Sequence, residues 1–265
     1  MSSVYFVKTK THYDPYRDFF RLAELSGYPV IYIDEMDTQD ASKTYIFTPL
    51  NGETSNGWAD AKAQIVLFDL EWRIGESSYE WAENLLVIPP GVKRVWASDK
   101  WYAGKIGAEY VPLGSHAGLV GDAVLNGDGY DVALLAYLSG RRQHAAAELQ
   151  ARGMKLAPNA WNPERDAMLK STTAMIHVHQ HDNVPTIAPL RFALAAAYRL
   201  PLISERVYEA DLYRDAVLFV DYHALPDYTA ALVRHSPTLL KTWGAALHDR
   251  LCVSNSFRSF VEAAL

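Results

Sequence analysis

Apolar positions along this chain fall into two kinds of run, short β-branched or aromatic stretches and longer stretches with helical spacing, and the two alternate from the start. Residues 4–7 (VYFV) read as a strand. A helical pattern follows over residues 15–25, where Tyr16, Phe19, Phe20 and Ala23 recur at helix spacing behind an Asp14–Pro15 start and Gly27 ends it. Residues 29–33 (PVIYI) form a second predicted strand, so the chain opens with a β-α-β unit. Further strands are predicted at 44–48, 64–68 and 85–88, and residues 93–106 read as a helix.

Residues 114–129 (GSHAGLVGDAVLNGDG) lack periodicity and are rich in glycine, the composition of a connection between domains. The second half then repeats the logic of the first. Strands are predicted at 130–138, 154–157, 174–179 and 200–204, helices at 141–152, 163–171 and 188–198, and a mostly helical tail at 228–265. Strands alternating with helices at this spacing imply parallel sheets covered on both faces. The reading is an α/β chain of two domains, 1–115 and 116–265, with the last helix packing back on the first.

Composition narrows the partners. At 265 residues the chain holds one large or two small domains, and 49% apolar with 21% charged residues is ordinary for a protein with a real core. A net charge of −6 gives no overall attraction to nucleic acid or anionic lipid, leaving only a local basic groove. No apolar run approaches the ~20 residues that span a bilayer, and the first residues lack a secretory pattern, so a cytoplasmic protein without membrane insertion is predicted. The one cysteine, Cys252, excludes an internal disulfide and a cysteine-cluster metal site.

In open parallel sheets ligands bind beyond the carboxyl ends of the strands, so polar clusters just after strands carry the chemical signal. Ser139, Gly140, Arg141 and Arg142 follow the strand YDVALLAYL. A glycine, two forked guanidinium donors and a helix start suit a diphosphate, although an arginine pair on a helix can also be simply solvated. Trp161, in the loop after residues 154–157, can stack on a nucleobase or pack half-buried. The segment HVHQHDNVPT places His177, His179 and His181 on one face of an extended chain, as metal ligands would lie. That spacing keeps a metal-dependent hydrolase open, but Gln180, His181 and Asp182 break the His-x-His-x-Asp-His order such hydrolases carry.

A fourth cluster, PTIAPLRFALAAAYRLPLISE at residues 185–205, resembles the donor-binding half of the GT-B glycosyltransferases, whose motif reads Arg-x-x-Glu-Ala-x-Ala-x-Gly before a short strand with proline. Arg191, Ala195, Ala197 and Pro201 fall on the motif, and YVPLGSH (110–116) resembles the connector between the two domains of that family. NPERDAMLKSTTAMIHVH (162–179) resembles its helix and strand before the donor loop. Leu194 stands at the motif's acidic position, Arg199 at its glycine, and Thr186 near the partner acidic position, while Glu205 offers a carboxylate just after the next strand.

The resemblance implies two Rossmann-like domains facing a cleft and a nucleotide-sugar co-substrate without a required metal. Its donor residues would be Arg141, Arg142, Trp161, His179, Gln180, Thr186, Arg191 and Glu205. An inverting reaction also needs a general base, for which His12 and Asp14 after the first strand and Asp69 and Glu71 after residues 64–68 are best placed. The acceptor is not legible. Tryptophans and basic residues crowd positions 58–101, which suits stacking on DNA and a hydroxymethyl-pyrimidine acceptor, or else the filling of a small core. A chain that keeps this architecture as a non-catalytic nucleotide-binding scaffold is the remaining alternative.

Overall fold

Parallel strands need crossovers, and the alternation of apolar runs with helices supplies them twice. The computed structural model describes residues 3–9, 16–48, 58–70, 88–123, 129–136, 138–160, 162–180 and 186–265, with residue 162 described by its backbone alone. Contacts divide the chain into two compact units, Met1–Leu113 with Arg258–Leu265, and Gly114–Phe257.

The first unit is built on β1 (Ser3–Lys8), α1 (Arg17–Leu25), β2 (Val30–Tyr32), β3 (Lys43–Phe47), β4 (Gln64–Asp69), β5 (Arg94–Ala97), α2 (Lys100–Ile106) and β6 (Glu109–Tyr110). Its sheet runs β2-β1-β3-β4-β5-β6, and every pair is parallel. Both faces are apolar, as a parallel sheet buried on two sides requires. On one face Phe6 meets Phe19, and Phe68 meets both Phe19 and Trp96 edge to face. On the other Val7, Tyr45, Phe47, Trp58, Ile65 and Leu67 form a second cluster.

The helix predicted over 93–106 is half strand. Residues 94–97 are RVWA, and buried Trp96 and Ala97 add β5 to the sheet edge beside β4. Asp99 then caps α2 by accepting from the Tyr102 amide at 2.8 Å, and left-handed Gly107 (φ 68°) ends it. Trp58 and Trp96 are core residues at 3% and 0% exposure, so these two are closed to nucleobase stacking. The strand predicted at 85–88 and the Asp14–Pro15 helix start lie outside the described residues except for Ile88, which is not in a strand.

The second unit contains β7 (Tyr130–Ala133), α3 (Gly140–Ala151), α4 (Asn162–Lys170), β8 (Thr172–His177), α5 (Pro189–Ala197), β9 (Leu202–Glu205), β10 (Val217–Val220), α6 (Leu225–His235) and α7 (Pro237–His248), followed by a π-helical turn over Asp249–Ser254. The last helix, α8 (Phe257–Ala264), is grouped with the first unit from Arg258 onward. The sheet order is β10-β9-β8-β7, all parallel. The predicted strand at 154–157 is a single parallel bridge from Leu156 to Val132, and the run predicted over 130–138 leaves the sheet after Ala133. β6 and β10 are additions to the predicted set. Leu156 and β8 flank β7 on opposite sides, so the strand order reverses at β7 and makes it the switch point of this sheet.

Helix α5 lies in the core of this unit, its residues from Phe192 to Ala197 all buried. Its alanines let neighbours approach closely. A β-carbon on Gly244 of α7 would collide with the carbonyl of Arg199, which follows α5 in the left-handed region at φ 54°. The connector into this unit is tied to the same helix: Ser115 Oγ donates to the Ala193 carbonyl at 2.7 Å and its amide to Leu251 O at 2.9 Å. Further along, the Gly121 amide donates to the Tyr198 hydroxyl at 3.0 Å, and a β-carbon there would strike the Asp166 carboxylate. Burial foremost, with the Asp166 charge beside it, pushes the Tyr198 hydroxyl up to about 12. Among the described residues no helix is long and apolar enough to cross a membrane.

These contacts set two stability outcomes. Gly244→Ala is expected to lower stability by about 1–3 kcal/mol through overpacking against fixed backbone. Arg199→Gly, which relieves a left-handed side chain, is expected to raise it by about 0.5–1 kcal/mol. Urea unfolding of both variants measures the pair.

Candidate functional site

The carboxyl ends of β7 to β10 carry four polar segments of the second unit. Ser139 precedes α3 in extended conformation, and its hydroxyl gives no cap to the first turn. Ser139 Oγ is buried and has no hydrogen-bond partner among the described residues. Among the described residues nothing would meet a β-carbon on exposed Gly140, so none of them crowds the start of α3. Helix starts of this kind present amides suited to an anion.

Glu205, at the end of β9, draws the other segments in. Its Oε1 accepts from Arg141 Nη2 at 2.5 Å and its Oε2 from the His179 amide at 3.0 Å. Arg142 is buried and turns to β8, donating through Nε to Val178 O at 3.0 Å and through Nη1 to Gln180 Oε1 at 3.4 Å. The ring of Tyr222, just after β10, lies beneath the Arg141 guanidinium, 4.0 Å from ring centre to Cζ. Its hydroxyl donates to the Arg141 carbonyl at 3.0 Å.

Beneath this layer sit two neutral histidines. His179 Nε2 lies 2.7 Å from the Arg206 carbonyl, which can only accept, so Nε2 carries the proton. His177 Nδ1 lies 3.0 Å from Ser204 Oγ, whose own proton goes to the Glu205 carbonyl at 2.7 Å, so this imidazole donates too. The rings meet edge to face at 5.0 Å, and His177 also packs on Phe192. Burial first, then the charges of His179, Arg191 and Arg142, hold His177 well below the usual histidine range. For His179 burial lowers the value to about 4, against the Arg206 bond, with Arg141, Arg142 and Arg191 adding to the fall. The charges of Arg141, Arg142 and Arg191 all act on the His179 imidazole, which stays uncharged.

Of the residues singled out from sequence, Arg141, Arg142, His179, Gln180 and Glu205 are joined by hydrogen bonds, and Arg191 acts on the same histidines through its charge. Thr186 is buried in the approach to α5. Asp69 is buried at the end of β4 in the first unit and accepts from the Tyr102 hydroxyl at 2.8 Å. His12, Asp14, Glu71, Trp161 and His181 lie outside the described residues. Leu194 is buried in the core beside Met175 and Tyr213, so the motif's acidic position faces away from the polar edge here. The motif's glycine position keeps its backbone: Arg199 holds a positive φ in its place. Tyr222 is the addition, and the unread apolar run VLFV before Asp221 was its signal.

No protein-family profile matches the chain. A segment of 107 residues is 28% identical to the uncharacterized protein L140 of Acanthamoeba polyphaga mimivirus, covering 38% of this chain and 35% of that protein, so the match spans about a third of the relative's length. Among solved structures, a mutant of T4 phage β-glucosyltransferase with UDP-glucose superposes with a TM-score of 0.58 at 15% identity, over 98% of both chains. AviGT4, a glycosyltransferase of avilamycin A biosynthesis, gives 0.60 at 11% identity over 98% of this chain and 95% of its own. The lipopolysaccharide galactosyltransferase WaaB gives 0.56 at 10% over the whole of both. The T4 protein is described as a DNA-modifying enzyme, and one of its structures holds UDP with Mn2+.

The fold is therefore that of the GT-B glycosyltransferases, with two Rossmann-like units. The metal-hydrolase alternative is not favoured. Its two described histidines each have a ring nitrogen bonded to a protein oxygen, and no group of three metal-ligating side chains occurs among the described residues.

Both histidines bind protons less readily folded than unfolded, which fixes the direction of a pH effect. Above pH ~6.5 both states are neutral and the stability is whole; below it the unfolded chain takes up protons that the folded one refuses, and stability falls on down through pH ~4. His179, held at about 4, accounts for roughly 3 kcal/mol of that loss. Thermal midpoints from pH 8 to 4.5 are expected to fall on acidification, with a shallower fall in His179→Gln.

Proposed function

We propose that this chain is a nucleotide-sugar-dependent glycosyltransferase that binds the donor diphosphate at the start of α3. The observation that carries the reading is the placement of Arg141 on Glu205 and Arg142 on Val178 O at the switch-point end of a parallel sheet within a GT-B fold, with the Arg191 charge acting on the same His179. In such a transfer an acceptor oxygen attacks the anomeric carbon, the bond to the diphosphate breaks, and negative charge grows on the departing group. Arginine forks and helix amides stabilise that charge as it forms. Arg141 and Arg191 are assigned to the diphosphate, and Arg142 to holding the loop after β8. Ser139 Oγ is a further donor to phosphate oxygen. Glu205, His179, Gln180, Thr186 and Trp161 complete the donor side.

In the same reading the division falls near residues 115 and 116, with acceptor binding in the first domain and donor binding in the second. His12, Asp14, Asp69 and Glu71 remain the general-base candidates of an inverting reaction. The Tyr102 hydroxyl fixes the orientation of the buried Asp69 carboxylate by donating to its Oδ2. The likeness to a DNA-modifying T4 enzyme makes hydroxymethyl-pyrimidine DNA the first acceptor to try and UDP-glucose the first donor. A cytoplasmic location and transfer without a required metal belong to the same proposal.

Release of nucleoside diphosphate from UDP-glucose and other nucleotide-sugars, with and without acceptor DNA, tests it. Turnover is expected, to persist in EDTA, and to fall with Arg141→Ala, whose donor binding weakens about 10- to 100-fold, the range for one charge-assisted contact. Tight donor binding without any turnover, hydrolysis included, would instead mark a scaffold.

A further inference from the structure

Tyr222 is not a member of the motif, yet it touches Arg141, the arginine paired with Glu205 Oε1. Arg141 Cζ lies over the Tyr222 ring, 4.0 Å from the centroid, while Glu205 Oε1 accepts from Nη2 at 2.5 Å. The hydroxyl reaches the Arg141 carbonyl at 3.0 Å, so a single side chain grips both the head of Arg141 and its backbone in the first turn of α3. The ring is backed in turn by His144, 6.4 Å away and tilted 34°, and by His223 at 5.2 Å. A guanidinium held at once by an aromatic ring and a carboxylate has fewer orientations open to it, and a fork restrained in advance loses less freedom when it grips phosphate.

We infer that Tyr222 is a positioning residue for donor binding: its ring face orients the Arg141 guanidinium toward the diphosphate, and its hydroxyl is secondary. The inference rests on the proposed donor site, and it assigns Tyr222 no contact with the reacting atoms. A structural filler would act on stability alone, whereas an orienting ring acts on phosphate affinity through Arg141 and only through it.

The test is calorimetric titration of the full chain with UDP, GDP, CDP, ADP and dTDP, followed by variant measurements with the tightest of these. Tyr222→Leu is expected to weaken binding by about three- to tenfold, the range of a partly desolvated cation–π contact, and Tyr222→Phe to stay within about twofold of the parent. In an Arg141→Ala background Tyr222→Leu should change nothing further. Tyr222→Gln, which also lacks the aromatic face, repeats the comparison should the leucine variant fail to fold. An equal loss in both backgrounds, or no loss in the parent, overturns the inference while Arg141→Ala still reports on the donor site. Absence of binding by the parent to all five diphosphates removes the donor-site reading itself, and the inference with it.

Discussion

The Glu205 carboxylate is the tie on which the polar edge of the second unit depends. It stands at the end of β9, takes a guanidinium from α3 through one oxygen and the amide after β8 through the other, and so joins three elements remote in sequence. An ion pair at the surface is worth little, but this one is mostly enclosed, with side-chain exposures of 16% and 11%. Enclosed pairs are costly to break because the remaining charge is stranded. The geometry of Arg141 is thus built into the folded sheet, before any ligand arrives.

The layer below is arranged for the same purpose by opposite means. Arg141, Arg142 and Arg191 raise the local potential, and any further cation there would repel them. His177 and His179 meet that constraint by remaining neutral, each proton already assigned to an oxygen. The packing of His177 on Phe192, which in turn meets Tyr213, carries the aromatic core of α5 up to the polar edge. Packing and electrostatics therefore meet in two residues whose sequence pattern suggested metal.

Much of the fold was legible because parallel sheets write themselves as apolar runs separated by helices. What failed had physical causes. Residues 93–106 contain apolar positions that satisfy a helix period, yet Trp96 and Ala97 gain more by closing the edge of β4 than a longer α2 would return. The run VLFV is too short and too near a charged neighbourhood to stand out, so β10 and Tyr222 behind it went unread. The arginines and Glu205 were legible because polar residues directly after strands have few structural reasons to cluster. Leu194 was legible as a departure from the motif, and its place in the apolar core agrees with the loss of the acidic side chain there.

The anchored connector has a consequence for how this chain can vary. Ser115 is bonded to α5 and to the π-helical turn, and Gly121 is bonded to Tyr198 and pressed on Asp166. Between two such moorings the strip of chain has a fixed contour length. Side chains along it can be exchanged one at a time, but a single inserted or deleted residue would pull one mooring out of register. Descendants of this sequence should therefore differ here in spelling and agree in length.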